Sequence, residues 1–290
     1  MKPAPFDYVV PASIEEALGH LDRGGGDATI LAGGQTLMPL LALCMSTPSV
    51  IVDINRITAL KGIERTSETV RIASVTRQNE ALANEPLAAA LPTVVRAISQ
   101  VGHFQTRNRG TVGGSISLGE PAAELPATAV ALGAEIEVHS LRRGERRIPA
   151  ERFYLGPYST TVEADELVTA IHFPLWPANS LIVFREVARR PGDFALVGLV
   201  GAIAVNEGKI TQAGLAWFGM GPTPMKAWQA ESALFGENIG DVDPQAIADL
   251  ALSETEPFDD HSATADYRRS VGRQIFVRTL SDALNLRKAA

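Results

Sequence analysis

Cysteine is almost missing from this 290-residue chain: Cys44 stands alone. A single thiol excludes an internal disulfide and cannot by itself hold an iron–sulfur cluster or a cysteine-rich zinc site. It also points to a reducing compartment. A basic excess is missing too. The formal net charge is −7, which argues against nucleic acid as a partner, because phosphate neutralisation needs a basic face. The densest basic run, Arg142, Arg143, Arg146 and Arg147, is interrupted by Glu145 and reads as a solvated turn between strands. Apolar runs such as residues 125–132 are far too short to cross a bilayer. The opening Met1-Lys2-Pro3-Ala4-Pro5 has no apolar core of a secretory signal, so the expected location is cytoplasmic. His20, His172 and His261 lack ligand spacing such as H-E-x-x-H, and no metal site is expected. Ser115 and Ser117 lack a G-x-S-x-G setting, which removes a serine nucleophile.

Two short glycine segments, far apart, are the most informative feature present. Ala32-Gly33-Gly34-Gln35-Thr36 follows the apolar run 28–31, and Thr111-Val112-Gly113-Gly114-Ser115 follows Arg107-Asn108-Arg109-Gly110. Glycine lets backbone N–H groups approach a ligand and reaches φ > 0 freely, and a hydroxyl adds a donor for phosphate oxygens. Two such loops can grip one pyrophosphate from two sides as backbone nests. The chain nevertheless has neither G-x-G-x-x-G nor G-x-x-x-x-G-K-[ST].

The intervening pattern is α+β. Ser13 and Glu16 mark a capped helix start, and Gly24-Gly25-Gly26 a helix stop. Buried strands are expected over 28–32 and 50–54, a short helix over 37–43, and a hairpin within 57–72. Helical spacing covers 86–101 and 122–132, and further strands cover 134–140 and 166–173. A boundary is expected at Pro174-Leu175-Trp176-Pro177. Beyond it, 182–187, 196–206 and 209–218 read as three antiparallel strands, with a hairpin turn at Asn206-Glu207-Gly208-Lys209. Helices are expected over 225–235, 244–252 and 265–286. Asp259-Asp260-His261 reads as a solvated turn rather than part of a triad. His103 and His139 offer no firm catalytic base, and Trp217 and Phe218 are expected to pack at a core or interface.

Three stretches carry a family resemblance. They are 32–41 with Val52-Asp53-Ile54-Asn55-Arg56-Ile57; 107–115 with Pro121-Ala122-Ala123-Glu124-Leu125-Pro126; and Arg189-Arg190-Pro191-Gly192-Asp193-Phe194-Ala195-Leu196-Val197. Their order and spacing over essentially the whole chain resemble the medium, FAD-binding subunit of the molybdenum hydroxylases. The resemblance implies a two-subdomain FAD-binding unit of vanillyl-alcohol-oxidase type over 1–175, with lobes of about 1–56 and 57–175. A C-terminal domain over 176–290, with a three-stranded antiparallel sheet and helices, completes it. It further implies a large partner subunit holding molybdenum–pterin and the organic substrate, and a small partner with two [2Fe–2S] clusters. The expected assembly is a dimer of such heterotrimers. This chain would pass electrons from the clusters through FAD to an external acceptor.

By the same resemblance, Ala32, Gly33, Gly34, Gln35 and Thr36 with Thr111, Val112, Gly113, Gly114 and Ser115 cradle the FAD pyrophosphate. Glu124 stands where relatives place an acid near the ribose or adenine, and Val168 where a backbone contact to the flavin is expected. Arg185 stands where some relatives have a lysine near the ring, a charge that would stabilise reduced flavin. Phe194 replaces a frequent tyrosine near the isoalloxazine. Gln35 replaces a frequent histidine, Thr36 a serine, and Glu120 an aspartate, the last with no assigned role. A self-contained flavin oxidase or reductase of the same fold is the alternative, and a flavin-free assembly subunit the third reading. Neither organic substrate nor acceptor is legible in this chain.

Overall fold

The computed structural model describes residues 2–288. The first lobe holds β1 (Asp7–Val9), α1 (Ile14–Gly24), β2 (Ala28–Leu31), α2 (Leu37–Ala42) and β3 (Val50–Asp53). Ser13 Oγ accepts from the Glu16 N–H at 3.2 Å, and the Glu16 carboxylate accepts from the Ala12 N–H at 2.7 Å. These bonds satisfy donors that a helix start leaves open. At the other end Gly25 takes φ +53° and caps α1 in the left-handed region. β1, β3 and β2 form a parallel sheet in that order, and Ala17, Leu18 and Leu21 of α1 share a core with Val52 and Ile54. β1, only three residues long, carries no periodicity by which a sequence pattern reveals a strand.

The second lobe is built on an antiparallel five-stranded sheet. It comprises β4 (Ile63–Arg65), β5 (Thr69–Ala73), β6 (Glu135–Ser140), β7 (Gly144–Pro149) and, after the small hairpin β8 (Tyr154–Gly156) and β9 (Ser159–Thr160), β10 (Glu166–Pro174). The sheet order is β4-β5-β10-β6-β7. Between β5 and β6 run α3 (Gln78–Leu82), α4 (Glu85–Ala90), α5 (Pro92–Ile98), α6 (Phe104–Arg109), α7 (Val112–Leu118) and α8 (Glu124–Leu132). The helix expected over 86–101 is broken at Leu91, which sits at φ −137°, ψ 66°. Pro92 excludes the helical region from the residue before it.

The rest is an antiparallel sheet of β11 (Leu181–Val187), β12 (Val197–Asn206), β13 (Lys209–Phe218) and β14 (Met225–Lys226), followed by α9 (Trp228–Leu234), α10 (Pro244–Ser253) and α11 (Ala265–Lys288). The expected three-stranded sheet therefore has a fourth strand, only two residues long, where a helix was expected to begin. One face packs on the three helices through Leu199, Leu215, Trp217, Phe276 and Leu280. Trp217 Nε1 donates to the Ala251 carbonyl at 3.0 Å.

α8 joins the two halves. Every one of its residues is buried, as expected for a helix apolar on all sides. It lies between the two large sheets, and one core runs from Ile136 and Ile171 past Leu125 and Val130 to Val200, Ala216 and Phe218. Gly214 permits this approach: a Cβ there would stand 2.2 Å from the Ala131 carbonyl oxygen. Among the described residues no helix is long and apolar enough to cross a membrane.

Candidate functional site

A cavity of about 670 Å³ lies where the two N-terminal lobes meet, within the range of small-molecule sites. The segment after β2 makes one wall, and α7 with the start of α8 the other. Leu167 and Val168 of β10 contribute as well, and Gly192, Asp193 and Phe194 form the rim. Of the residues expected at a ligand, Ala32, Gly33, Gly34, Gln35, Thr36, Thr111, Gly113, Gly114, Ser115, Glu124, Val168 and Phe194 line this cavity.

Val112 and Arg185 do not. Val112 is fully buried in the core, and its N–H is bonded to the Thr76 carbonyl at 3.0 Å. Arg185 points from β11 to α11, with Nη2 3.2 Å from Asp282 Oδ2. The strand's two-residue period sends its neighbour Glu186 the other way, towards Glu124.

The two glycine segments differ in chemistry. The N–H groups of Gly33, Gly34, Gln35 and Thr36 make no hydrogen bond among the described residues, so all four donors are open. The second segment is the first turn of α7, not a loop. Thr111 caps it by accepting from the Gly114 N–H at 3.0 Å. Gly113 N–H is bonded to the Ser74 carbonyl at 2.8 Å and Ser115 N–H to the Thr111 carbonyl at 3.2 Å. The expected second amide nest is thus corrected: these amides are already used, and the segment offers the hydroxyls of Thr111 and Ser115. Its glycines serve close packing, because a Cβ on Gly113 would stand 2.4 Å from Ser74 Cβ.

A polar network not anticipated from the sequence holds the two walls together. Asn55 Nδ2 donates to the Ala32 carbonyl at 2.8 Å and to Asp53 Oδ1 at 2.6 Å. Arg77 Nη2 donates to Asn55 Oδ1 at 2.6 Å, while Arg77 Nη1 donates to the Arg109 carbonyl. Arg77 thereby ties the first glycine segment to the second. Asn55 lies in the stretch that carries the family resemblance, but a lone arginine before α3 has no local signature. Burial and the neighbouring Arg109 pull the Arg77 guanidinium below its ordinary value.

Two buried polar atoms on the cavity wall, Ser74 Oγ and Gln78 Oε1, have no partner in the protein. Buried polar groups are normally hydrogen-bonded, so these two atoms are left for a partner that the described residues do not supply. Open amides, hydroxyls and these orphaned atoms fit a dinucleotide. Among the described residues the wall carries no Lys, Arg or His; its ionisable residues are Glu124 and Asp193. Burial pushes the Glu124 carboxyl up to about 8 against the pull of its own backbone N–H, with Glu186 and Glu120 adding to the rise. Burial likewise pushes Glu186 up to about 7, against the pull of Arg96. Glu120 accepts from the Ala122 N–H at 3.0 Å and from the Tyr158 hydroxyl, which gives it a role in shaping the turn before α8.

The other candidates settle into supporting positions. His103 sits beneath the rim, where a Cβ on Gly192 (φ +87°) would stand 2.5 Å from its Cε1. His139 is half-buried on β6, between β10 and the edge strand β7, 3.6 Å from Glu137 and 3.5 Å from Glu145, with Arg71 and Arg147 alongside. Asp260 is paired with Arg268 at 2.8 Å, and Asp259 accepts from the Ala265 N–H at the start of α11.

Comparison with known proteins supplies the family. Residues 4–176 match the FAD binding domain in molybdopterin dehydrogenase, and residues 182–283 the CO dehydrogenase flavoprotein C-terminal domain. The chain is 37% identical to the 6-hydroxypseudooxynicotine dehydrogenase complex subunit alpha of Paenarthrobacter nicotinovorans, over 98% of this chain and 96% of that one. It is 36% identical to the caffeine dehydrogenase subunit beta of Pseudomonas sp. strain CBB1, with the same coverage. The solved carbon monoxide dehydrogenase of Hydrogenophaga pseudoflava superposes with a TM-score of 0.94 at 34% identity, covering 98% of both chains. With both family domains present in order along nearly its full length, the chain belongs to the FAD-binding medium subunits of the molybdenum hydroxylases, the family of the carbon monoxide and xanthine dehydrogenases.

Proposed function

We propose that this oxidoreductase subunit binds FAD in the cavity between residues 32–36 and 111–115 and carries electrons from iron–sulfur clusters on a small partner subunit to an external acceptor. The observation that carries the reading is that Gly33, Gly34, Gln35 and Thr36, whose amides are unbonded among the described residues, line one cavity together with Thr111 and Ser115. FAD, when bound, supplies the electron-carrying chemistry. The chain's own residues do the rest. The four amides and the hydroxyls bind phosphate oxygens, Ser74 and Gln78 add polar contacts at the wall, and Phe194 at the rim, 57% exposed, covers the opening.

In this reading residues 1–175 form the FAD-binding unit, with lobes of about 1–56 and 57–175, and residues 176–290 the C-terminal unit. The hydroxylation site belongs to a large molybdenum–pterin subunit, the assembly is a dimer of heterotrimers, and the complex works in the cytoplasm. Support comes from relatives whose names mark them as medium chains or as subunits of dehydrogenase complexes. Native purification, followed by size-exclusion chromatography, metal analysis and a visible spectrum, tests this. The expected result is three co-eluting chains with flavin, iron and molybdenum. A pure chain without flavin that takes up none on reconstitution rejects it. Assaying the intact complex with N-heterocycles and aldehydes against an artificial dye then identifies the substrate class.

A further inference from the structure

We propose that Glu124 and Glu186 form a carboxyl pair that keeps a proton at the cavity wall, so that FAD binds with proton uptake and binds more weakly once the pair ionises. This rests on the assignment of FAD to the cavity.

The argument begins with what the wall lacks. FAD brings two negative phosphates, yet among the described residues no cationic side chain lines the cavity, so its charge is met there by amides and hydroxyls. An ionised carboxylate on the same wall would repel it, and in a water-poor cavity that repulsion is poorly screened. Glu124 is that carboxyl. It is 4% exposed, at the first position of α8, facing the cavity.

The neighbours of Glu124 leave it without a counter-charge. β11 brings Glu186, which stands across from Gly198 and, one strand further, Phe218, whose neighbour Gly219 donates to the Pro121 carbonyl just before α8 at 2.9 Å; its Oε2 is buried with no hydrogen-bond partner among the described residues. The turn before α8 brings Glu120, engaged with Tyr158 and the Ala122 N–H. Arg96 of α5 lies over the Phe184 ring at 5.5 Å and acts on Glu186, not on Glu124. Lys226 of β14 is 3.9 Å from both Glu151 and Glu231. Arg268 of α11 is taken by Asp260 and by the Leu196 and Gly219 carbonyls. α7 and β12 contain no Lys, Arg or His; on β10, His172 is taken by Glu137 at 2.7 Å, and Glu166 is bonded to Arg146. Two carboxyls close together in such a site cannot both ionise without penalty, and a neutral carboxyl also offers the ligand a donor that a carboxylate lacks. The Glu124 carboxyl, held up at about 8, is neutral at physiological pH. A bound dianion raises it further, which by linkage means that binding takes up a proton.

The test uses the full-length protein with whatever partner chains it retains, stripped of flavin and titrated with FAD. Fluorescence quenching gives Kd from about pH 6 to about pH 9, and calorimetry in two buffers of different ionisation heat counts protons taken up. The wild type is expected to lose about tenfold in affinity per pH unit above about pH 8 and to take up protons near that value. Glu124→Gln, nearly isosteric, is expected to bind with a flat pH profile and no proton uptake. Glu186→Gln removes the facing charge, so the break in the profile is expected at lower pH. A flat wild-type profile without proton uptake overturns the proposal while leaving FAD binding intact, as does a slope that survives Glu124→Gln. Should a variant fail to fold, the wild-type proton count alone decides. Failure of the wild type to bind FAD at every pH rejects the cofactor assignment itself.

Discussion

Gly33 and Gly110 meet backbone to backbone: a Cβ on Gly33 would stand 2.9 Å from the Gly110 Cα and 2.6 Å from the Arg109 carbonyl oxygen. The two segments that border the cavity are therefore a single packing unit, one from each lobe. Glycine is required at Gly33 for this approach, because any side chain would enter the opposing backbone rather than the space for phosphate.

Gly33→Ala is expected to push the lobes apart and weaken FAD retention at least about tenfold, or about 1.4 kcal/mol. Flavin content of the purified protein, read from its visible absorbance, checks it. Gly240, with nothing within 4 Å of a Cβ, is the control: Gly240→Ala is expected to keep full flavin. Equal retention in both variants removes the packing role assigned to Gly33.

Arg77 spans the same joint from the side. Removing it leaves Asn55 Oδ1 and the Arg109 carbonyl without their donor, so Arg77→Ala is expected to destabilise the chain by about 2 kcal/mol, the scale of a charged hydrogen bond lost from a part-buried site. Asn55→Ala breaks the same network, so the double variant is expected to fall short of the summed single effects. Denaturant midpoints of the three variants measure this, and strict additivity would show the network to be inert.

Glu137 governs stability in acid. Burial opposes its charge, but the hydroxyl of Thr169, His172 at 2.7 Å and Arg71 hold its carboxyl at about 2 rather than the ordinary 4.5. A depressed acid stabilises the fold above its unfolded value and loses that contribution as pH falls from about 4.5 to about 2. The expected loss is about 3 kcal/mol. Melting curves across that window should show a steep fall for the wild type and a shallower one for Glu137→Gln, which starts lower.

Glu231 acts with the opposite sign. Its carboxylate accepts from the Leu215 N–H at 2.7 Å, yet burial pushes it up to about 7 against the pull of that bond and of Lys226. A raised acid binds its proton more tightly in the fold, so stability declines as pH rises from about 4.5 to about 7 and stays reduced above. Glu231→Gln retains an acceptor for Leu215 without the charge. It is expected to melt above the wild type at about pH 8, by the equivalent of about 2 kcal/mol, and no higher near pH 4.5. Equal melting temperatures at both values would remove Glu231 from this account.

Much of this architecture was legible along the chain because it is locally encoded. Ser13 and Glu16 cap α1 and Gly25 ends it, for reasons contained within a few residues. The apolar runs of β3 and α8 declare burial whatever they pack against, whereas β2, expected buried from a similar run, is half-buried throughout because it forms the edge of its sheet. The three family stretches placed Gly33, Thr111, Glu124 and Phe194 at one site although they are scattered over 160 positions of the numbering.

What stayed hidden depended on partners distant in sequence. Whether the Gly113 amide is open is decided by Ser74, which occupies it, and no local pattern records that contact. Which of Arg185 and Glu186 turns towards Glu124 is a matter of strand phase, fixed only when β11 packs between α5 and α11. The protonation of Glu124 follows from burial beside two other acids. The amino-acid order alone determined the elements, the family and the pair of glycine segments, because these rest on short-range preferences. The tertiary structure alone decided which amides remain open, which charge faces the ligand and where a proton is held, because those depend on desolvation and on contacts made across the lobes.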